Sequence, residues 1–128
     1  MSKIEDELEI EPSNFKCHKF DTGFGEIKIS GHVIKMEKSI YLWVGDKNEN
    51  TMNDFCLAMP TNYETQPIAT KLFGPIADTT SMSIAKRLAK KFSIPIYVSF
   101  NLNVDNLSLP GIEKCLQTEL GNIPDLIN

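Results

Sequence analysis

The chain has 128 residues, of which 41% are hydrophobic and 23% charged, a composition typical of one ordinary globular domain. No apolar stretch approaches the roughly 18 residues that a membrane-spanning helix needs. The formal net charge of −4 lies entirely in residues 1–14, because the other residues hold twelve basic and twelve acidic side chains. Neither part has the basic field of a nucleic-acid-binding protein, so that class is excluded.

Residues 1–14 hold five acids against one lysine and few large apolar side chains. Such a segment buries too little surface to offset its ordering entropy, so we predict a flexible acidic arm before a single α/β domain over residues 15–128. The start also lacks the basic and apolar regions of a signal peptide. We therefore expect the protein in the cytoplasm, with the nucleus as a second compartment.

The first half of the domain shows strand patterns. Ile27 and Ile29 alternate with polar residues, Gly31 interrupts, and residues 32–38 alternate again. Ile40 to Val44 form an unbroken run of large apolar or aromatic residues, which predicts a strand covered on both faces, inside the domain or at a partner interface. Short strands at residues 55–59 and 68–73 complete what reads as a β-meander.

From residue 84 onwards the apolar residues recur at the spacing of a helix. An apolar face over residues 84–92 lies opposite four cations, Lys86, Arg87, Lys90 and Lys91. Any residue from Asp78 to Ser81 is suitable as the N-cap of this helix, and Pro95 is expected to stop it. Residues 96–102 predict a central strand, and Pro110 begins a second helix whose apolar stripe is formed by Ile112, Cys115, Leu116 and Leu120.

These elements predict an α+β fold, a two-layer α/β sandwich with a mainly antiparallel sheet and two helices. A monomer of this size has few elements to cover both faces of residues 40–44, so we predict a dimer. The candidate partner-binding residues are Ile40, Leu42, Val44, Lys86, Arg87, Lys90 and Lys91.

The sequence contains no catalytic motif, and we predict no catalytic, cofactor-binding or metal-binding residues. His18 and His32 stand in no recognisable pattern, and the three cysteines are far apart, as expected of buried reduced thiols. The one segment suited to a phosphate is residues 73–81, where a Gly-containing loop enters a helix. An ordinary helix cap is the better interpretation, because Asp78 would repel an anion there.

Several segments in the same order and spacing resemble the proteasome assembly chaperone 4 family. They are Ser39–Gly45, Leu57–Met59, Leu72–Gly74, Asp78–Ser81, Ala85–Ala89 and Val98–Asn101. The resemblance covers roughly residues 31–105, and its most specific block runs from Asp78 to Asn101.

This resemblance implies a small α/β sandwich that pairs with proteasome assembly chaperone 3 into a heterodimer. The heterodimer would promote assembly of the α-ring of the proteasome core particle by binding α-type subunits. Two alternatives stay open: a generic dimeric adaptor or scaffold of the same fold with another client, and a small-ligand or phosphate-binding enzyme built around Gly74 and residues 78–81.

Overall fold

The computed structural model describes residues 15–46, 52–62, 66–75 and 78–123. The segment predicted to be a flexible arm, residues 1–14, lies outside this part of the chain. The described elements, in chain order, are β1 (Lys16–Phe24), β2 (Ile27–Lys35), β3 (Ile40–Gly45), β4 (Phe55–Met59), β5 (Ile68–Phe73), α1 (Thr80–Phe92), β6 (Ile96–Phe100) and α2 (Leu109–Gly121). Neither of these helices is long and apolar enough to cross a membrane.

The six strands form one mixed sheet in the order β1-β2-β3-β6-β4-β5. All neighbouring pairs are antiparallel except β3 and β6, which run parallel. The predicted β-meander is therefore wrong beyond β3, because β6 lies between β3 and β4. A parallel pair needs a long crossover, which the chain from β4 through α1 supplies. The prediction that β6 is central is confirmed.

The two alternating stretches on either side of Gly31 form one continuous strand, β2. This glycine lies in the middle of β2, opposite Phe20 of β1. The Phe20 ring covers it so closely that a Cβ at residue 31 would overlap the ring. The absence of a side chain at Gly31 therefore leaves space for the Phe20 ring, and Gly31 does not interrupt the strand. β1 itself was not predicted, because its mostly polar sequence gives an edge strand a weak signal.

Both helices pack on one face of the sheet, and the core lies between the two layers. α1 contacts β4, β5 and β6, whereas α2 contacts β1. The predicted apolar face of α1 is confirmed by its buried residues Ile84, Ala85, Leu88, Ala89 and Phe92. In α2 the buried residues are Ile112, Leu116 and Leu120, and Cys115 is half-buried. The predicted α+β two-layer fold is confirmed.

The N-cap of α1 is Thr79, within the predicted range of residues 78–81, whereas the end of the helix differs from the prediction. At the start, Asp78 Oδ1 accepts the N–H of Thr80 at 3.0 Å, and this hydrogen bond lowers the pKa of Asp78. At the end, Ser93 adopts the left-handed conformation with φ of 60°, and its N–H bonds to Ala89. The helix thus stops before Pro95 is reached.

Candidate partner interface

The sheet has a second face, opposite the helices, which we call the outer face. Because side chains alternate along a strand, the register places one row of residues side by side across it. Tyr41 of β3 lies between Ile34 of β2 and Tyr97 of β6, and Tyr97 in turn pairs with Leu57 of β4. All four are partly exposed. The centre of the outer face is therefore apolar and aromatic.

Phe55 holds an aromatic cluster together at this centre. Its ring stacks on Tyr97 with a centroid distance of 5.7 Å and meets the edge of Tyr41 at 5.7 Å. Phe73 of β5 lies on its other side, also at 5.7 Å. Partial burial in this cluster raises the pKa of Tyr41 above its ordinary value. The four rings come from four strands and form one continuous surface.

The apolar surface extends beyond the rings. Met59, Ile68 and Phe73 are 49%, 56% and 44% exposed, respectively. Towards β2, a hollow of 400 Å³ is lined by Phe15, Ile34, Met36, Ser39, Tyr41, Met52, Phe55 and Tyr97. Contiguous apolar surfaces of this kind mark interaction sites in soluble proteins, because isolated monomers rarely leave them in water. The outer face is the best candidate for a partner interface among the described residues.

The surface changes character next to this patch. Trp43 also points to the outer face but is only 8% exposed, and its indole lies over Gly45. The ring of His32 meets Trp43 edge-on at a centroid distance of 5.2 Å. His32 is thus packed against an aromatic ring, and Asp21 and Ser30 beyond it are joined by a hydrogen bond of 3.1 Å. The apolar patch therefore has a polar border on the β1–β2 side.

Three predicted partner-binding residues lie elsewhere. Ile40, Leu42 and Val44 are 1%, 0% and 0% exposed and belong to the core beneath the helices. They offer no surface that a partner can contact in the folded chain. The same strand presents Tyr41 to the outer face, because alternation sends neighbouring side chains to opposite sides.

The other four predicted residues form the outward face of α1, where all are exposed. We call Lys86, Arg87, Lys90 and Lys91 the basic face. Arg87 Nε donates a hydrogen bond of 2.7 Å to Glu113 Oε2 of α2, so this cation also ties the two helices together. Partial burial raises the pKa of Glu113, and the charge of Arg87 opposes that shift.

The loop that suggested a phosphate site is occupied by the chain's own groups. Lys71 Nζ lies 2.5 Å from Asp54 Oδ1, 2.7 Å from the carbonyl oxygen of Asp78 and 3.4 Å from Ser81 Oγ. A bound anion would have to displace the buried Asp54 carboxylate from the Lys71 ammonium.

The cysteines and the potential metal ligands of the described residues add no further site. Cys17 is exposed, Cys56 buried and Cys115 half-buried, so the expectation of buried thiols holds for Cys56 and is wrong for Cys17. Burial raises the pKa of Cys56, which favours an unreactive thiol. Among residues 15–46, 52–62, 66–75 and 78–123, no three His, Cys, Asp or Glu side chains group closely enough to hold a metal ion.

Sequence reasoning missed the outer face itself. The sequence predicts Tyr41 in a strand covered inside the domain or at a partner interface, Tyr97 in a central strand and Phe55 in a short buried strand, but it does not bring the three rings together. One signal was available in the sequence. Within each strand the aromatic residue alternates with the buried aliphatic residues, which indicates that its side chain points to the opposite face of the sheet. That signal became readable only when the register placed the rings together.

A sheet that is covered by helices on one face and presents partly exposed aromatic residues on the other is suited to binding another protein. Residues 28–102 match the sequence model of the proteasome assembly chaperone 4 family. Proteasome assembly chaperone 4 of Mus musculus is 32% identical over 88% of this chain and 91% of its own length. The Homo sapiens protein of that name is 32% identical over 84% and 87%, respectively.

A comparison of structures agrees on the fold. A chain from the crystal structure of a novel chaperone complex for yeast 20S proteasome assembly superposes with a TM-score of 0.66 at 13% identity. The match covers 90% of this chain and 99% of that one. This chain therefore belongs to the proteasome assembly chaperone 4 family, which is a family of chaperones and not of enzymes.

Proposed function

We propose that this protein is a non-enzymatic chaperone that forms a heterodimer with a proteasome assembly chaperone 3-like protein. The heterodimer binds α-type subunits and promotes assembly of the α-ring of the proteasome core particle, in the cytoplasm and the nucleus. The exposed aromatic outer face carries the proposal, because it provides the uncovered surface that a pairing protein requires. Membership of the proteasome assembly chaperone 4 family supports the proteasome as the target of the proposed chaperone.

The outer face is suited to the heterodimer contact. Aromatic residues dominate the energetics of protein interfaces, and they act best at the centre of a patch from which water is excluded. Phe55, Tyr41 and Tyr97 occupy such a centre, with Met59 and Ile68 towards the β5 edge. A stable pair buries on the order of 1,600 Å² in total, which requires most of one sheet face.

A charge placed on the outer face should therefore weaken pairing. Met59→Glu and Ile68→Glu change exposed side chains that are not part of the ring cluster, so we expect both variants to keep the melting temperature of the parent protein. Burying the new carboxylate against a partner should weaken the heterodimer at least about 30-fold, the effect of losing one interface hot spot. Sedimentation velocity with a co-expressed proteasome assembly chaperone 3-like protein measures this change.

Leu107→Glu is the matched control. Leu107 is 90% exposed but lies in the β6–α2 loop, away from the outer face, so the heterodimer should form normally. Equal pairing by all three variants would show that the outer face is not the contact. A stable monomer that ignores the partner protein would refute the heterodimer itself.

The basic face is proposed to steer the protein towards an acidic patch on an α-type subunit or on the partner. Lys86→Glu combined with Lys90→Glu should slow association at low salt and reduce its salt dependence, with little change in dissociation. Arg87 is left intact because its bond to Glu113 would confound the result. Stopped-flow association at several ionic strengths provides the measurement, and unchanged rates would leave the basic face as ordinary solvated surface.

Co-purification separates this function from that of a generic adaptor with the same fold. A chaperone of α-ring assembly should bring down α-type subunits without mature proteasomes. Recovery of a different client, with no proteasome subunit in the mass spectrum, would favour the adaptor.

A further inference from the structure

A second concave surface lies at one end of the sheet and is separate from the outer face. It is a cleft of 740 Å³ between the β1–β2 turn, the end of β3 and the loop from β6 to α2. The residues lining it are Glu26, Ile27, Lys28, Asp46, Asn101, Leu102, Asn103, Val104, Asp105 and Ser108. Neither the partner contact nor the basic face proposed above uses this cleft.

The cleft combines an apolar floor with an acidic rim. Ile27, Leu102 and Val104 are half-buried and pack against the hydrophobic core, so their outer surfaces form a fixed apolar floor. Among the residues that the structure describes, the exposed rim holds the carboxylates of Glu26, Asp46 and Asp105 and the ammonium of Lys28. The cleft is therefore negative in a domain whose residues 15–128 carry balanced charge.

The wall of the cleft is built from hydrogen-bonded groups. Asn101 Nδ2 donates to Ser99 Oγ at 2.9 Å, and Asn101 Oδ1 accepts the N–H of Asn53 at 2.8 Å. Asp105 Oδ1 accepts the N–H of Ser108 at 3.0 Å. Hydrogen bonding from the Ser108 hydroxyl, and then from its N–H, lowers the pKa of Asp105. The loop thus has a defined shape, and Asp105 keeps its charge at neutral pH.

We infer that this cleft binds an extended segment of a partner protein that carries lysine or arginine next to a large apolar side chain. The apolar side chain would lie on the floor, and the cation would face the carboxylates of the rim. The chain's own residues 1–14 do not fit this description, because their five acids would be repelled by the rim.

The test uses a blocked five-residue peptide in which two arginines flank a leucine, added to isotope-labelled protein. We expect chemical-shift changes confined to residues 26–28, Asp46 and residues 101–108, with affinity that falls as salt is added. A peptide with glutamates in place of the arginines should not bind. The combined change Glu26→Gln and Asp105→Asn keeps the side-chain shapes and the acceptor for Ser108, and should weaken binding about fivefold or more.

Glu37→Gln is the matched control, since Glu37 is an exposed acid in the turn at the other end of the sheet. It should leave peptide binding unchanged. The inference would be overturned if the glutamate peptide bound with equal affinity or if the chemical-shift changes were confined to the outer face. It would equally be overturned if the Glu26/Asp105 variant bound the arginine peptide as the parent protein does, or if no binding occurred at millimolar peptide. Heterodimer formation is measured in parallel and should not change in the Glu26/Asp105 variant, so failure here is distinguishable from failure of the proposed function.

Discussion

Lys71→Met should lower the free energy of unfolding by about 3–5 kcal/mol, the usual cost of removing one partner from a buried ion pair. The Lys71 and Asp54 side chains are only 9% and 6% exposed. Asp54 Oδ2 is buried without a hydrogen-bond partner, so the Lys71 ammonium supplies the main compensation for this carboxylate. The substitution would also remove the bond to Asp78 at the start of α1. Urea denaturation measures the loss.

A second substitution tests the cause of that loss. Combining Lys71→Met with Asp54→Asn removes the uncompensated charge, so the double variant should be more stable than Lys71→Met alone. Lys28→Met, at an exposed lysine, should change the stability by no more than about 0.5 kcal/mol. If Lys71→Met matches this control, the ion pair contributes nothing to the fold.

Leu88→Ala should cost about 2–5 kcal/mol, because it removes a side chain that is 1% exposed from the core. Leu88 lies on the buried face of α1, beneath which the sheet contributes Val98 and Ala58 to the same core. The surrounding side chains are held by two layers of structure, so the cavity can collapse only in part.

Lys90→Ala is the control on the same helix, since Lys90 points to solvent and alanine favours helices. We expect a change within about 0.5 kcal/mol. Thermal or urea unfolding followed by circular dichroism compares the two variants. Equal losses would mean that the two faces of α1 are assigned the wrong way round.

The candidate site was only partly predictable from the sequence. The basic face of α1 could be read directly, because a helix places residues 86, 87, 90 and 91 on one arc whatever it packs against. Its ion pair with Glu113 could not, because the two residues are 26 positions apart and meet only when α1 and α2 lie on the same sheet. The run from Ile40 to Val44 predicted a strand but did not show which side faces the core.

Local periodicity by itself determined the second-half helices, the central strand β6 and the strands β3, β4 and β5, because those patterns depend on neighbours a few residues away. The tertiary structure alone decided the sheet order, with β6 between β3 and β4, and the recruitment of the weakly apolar β1 to the edge. It also decided which face stays uncovered. Strand pairing is a contact between distant segments, so a ring such as Phe55 becomes part of a binding surface only when Tyr41, Tyr97 and Phe73 are brought beside it.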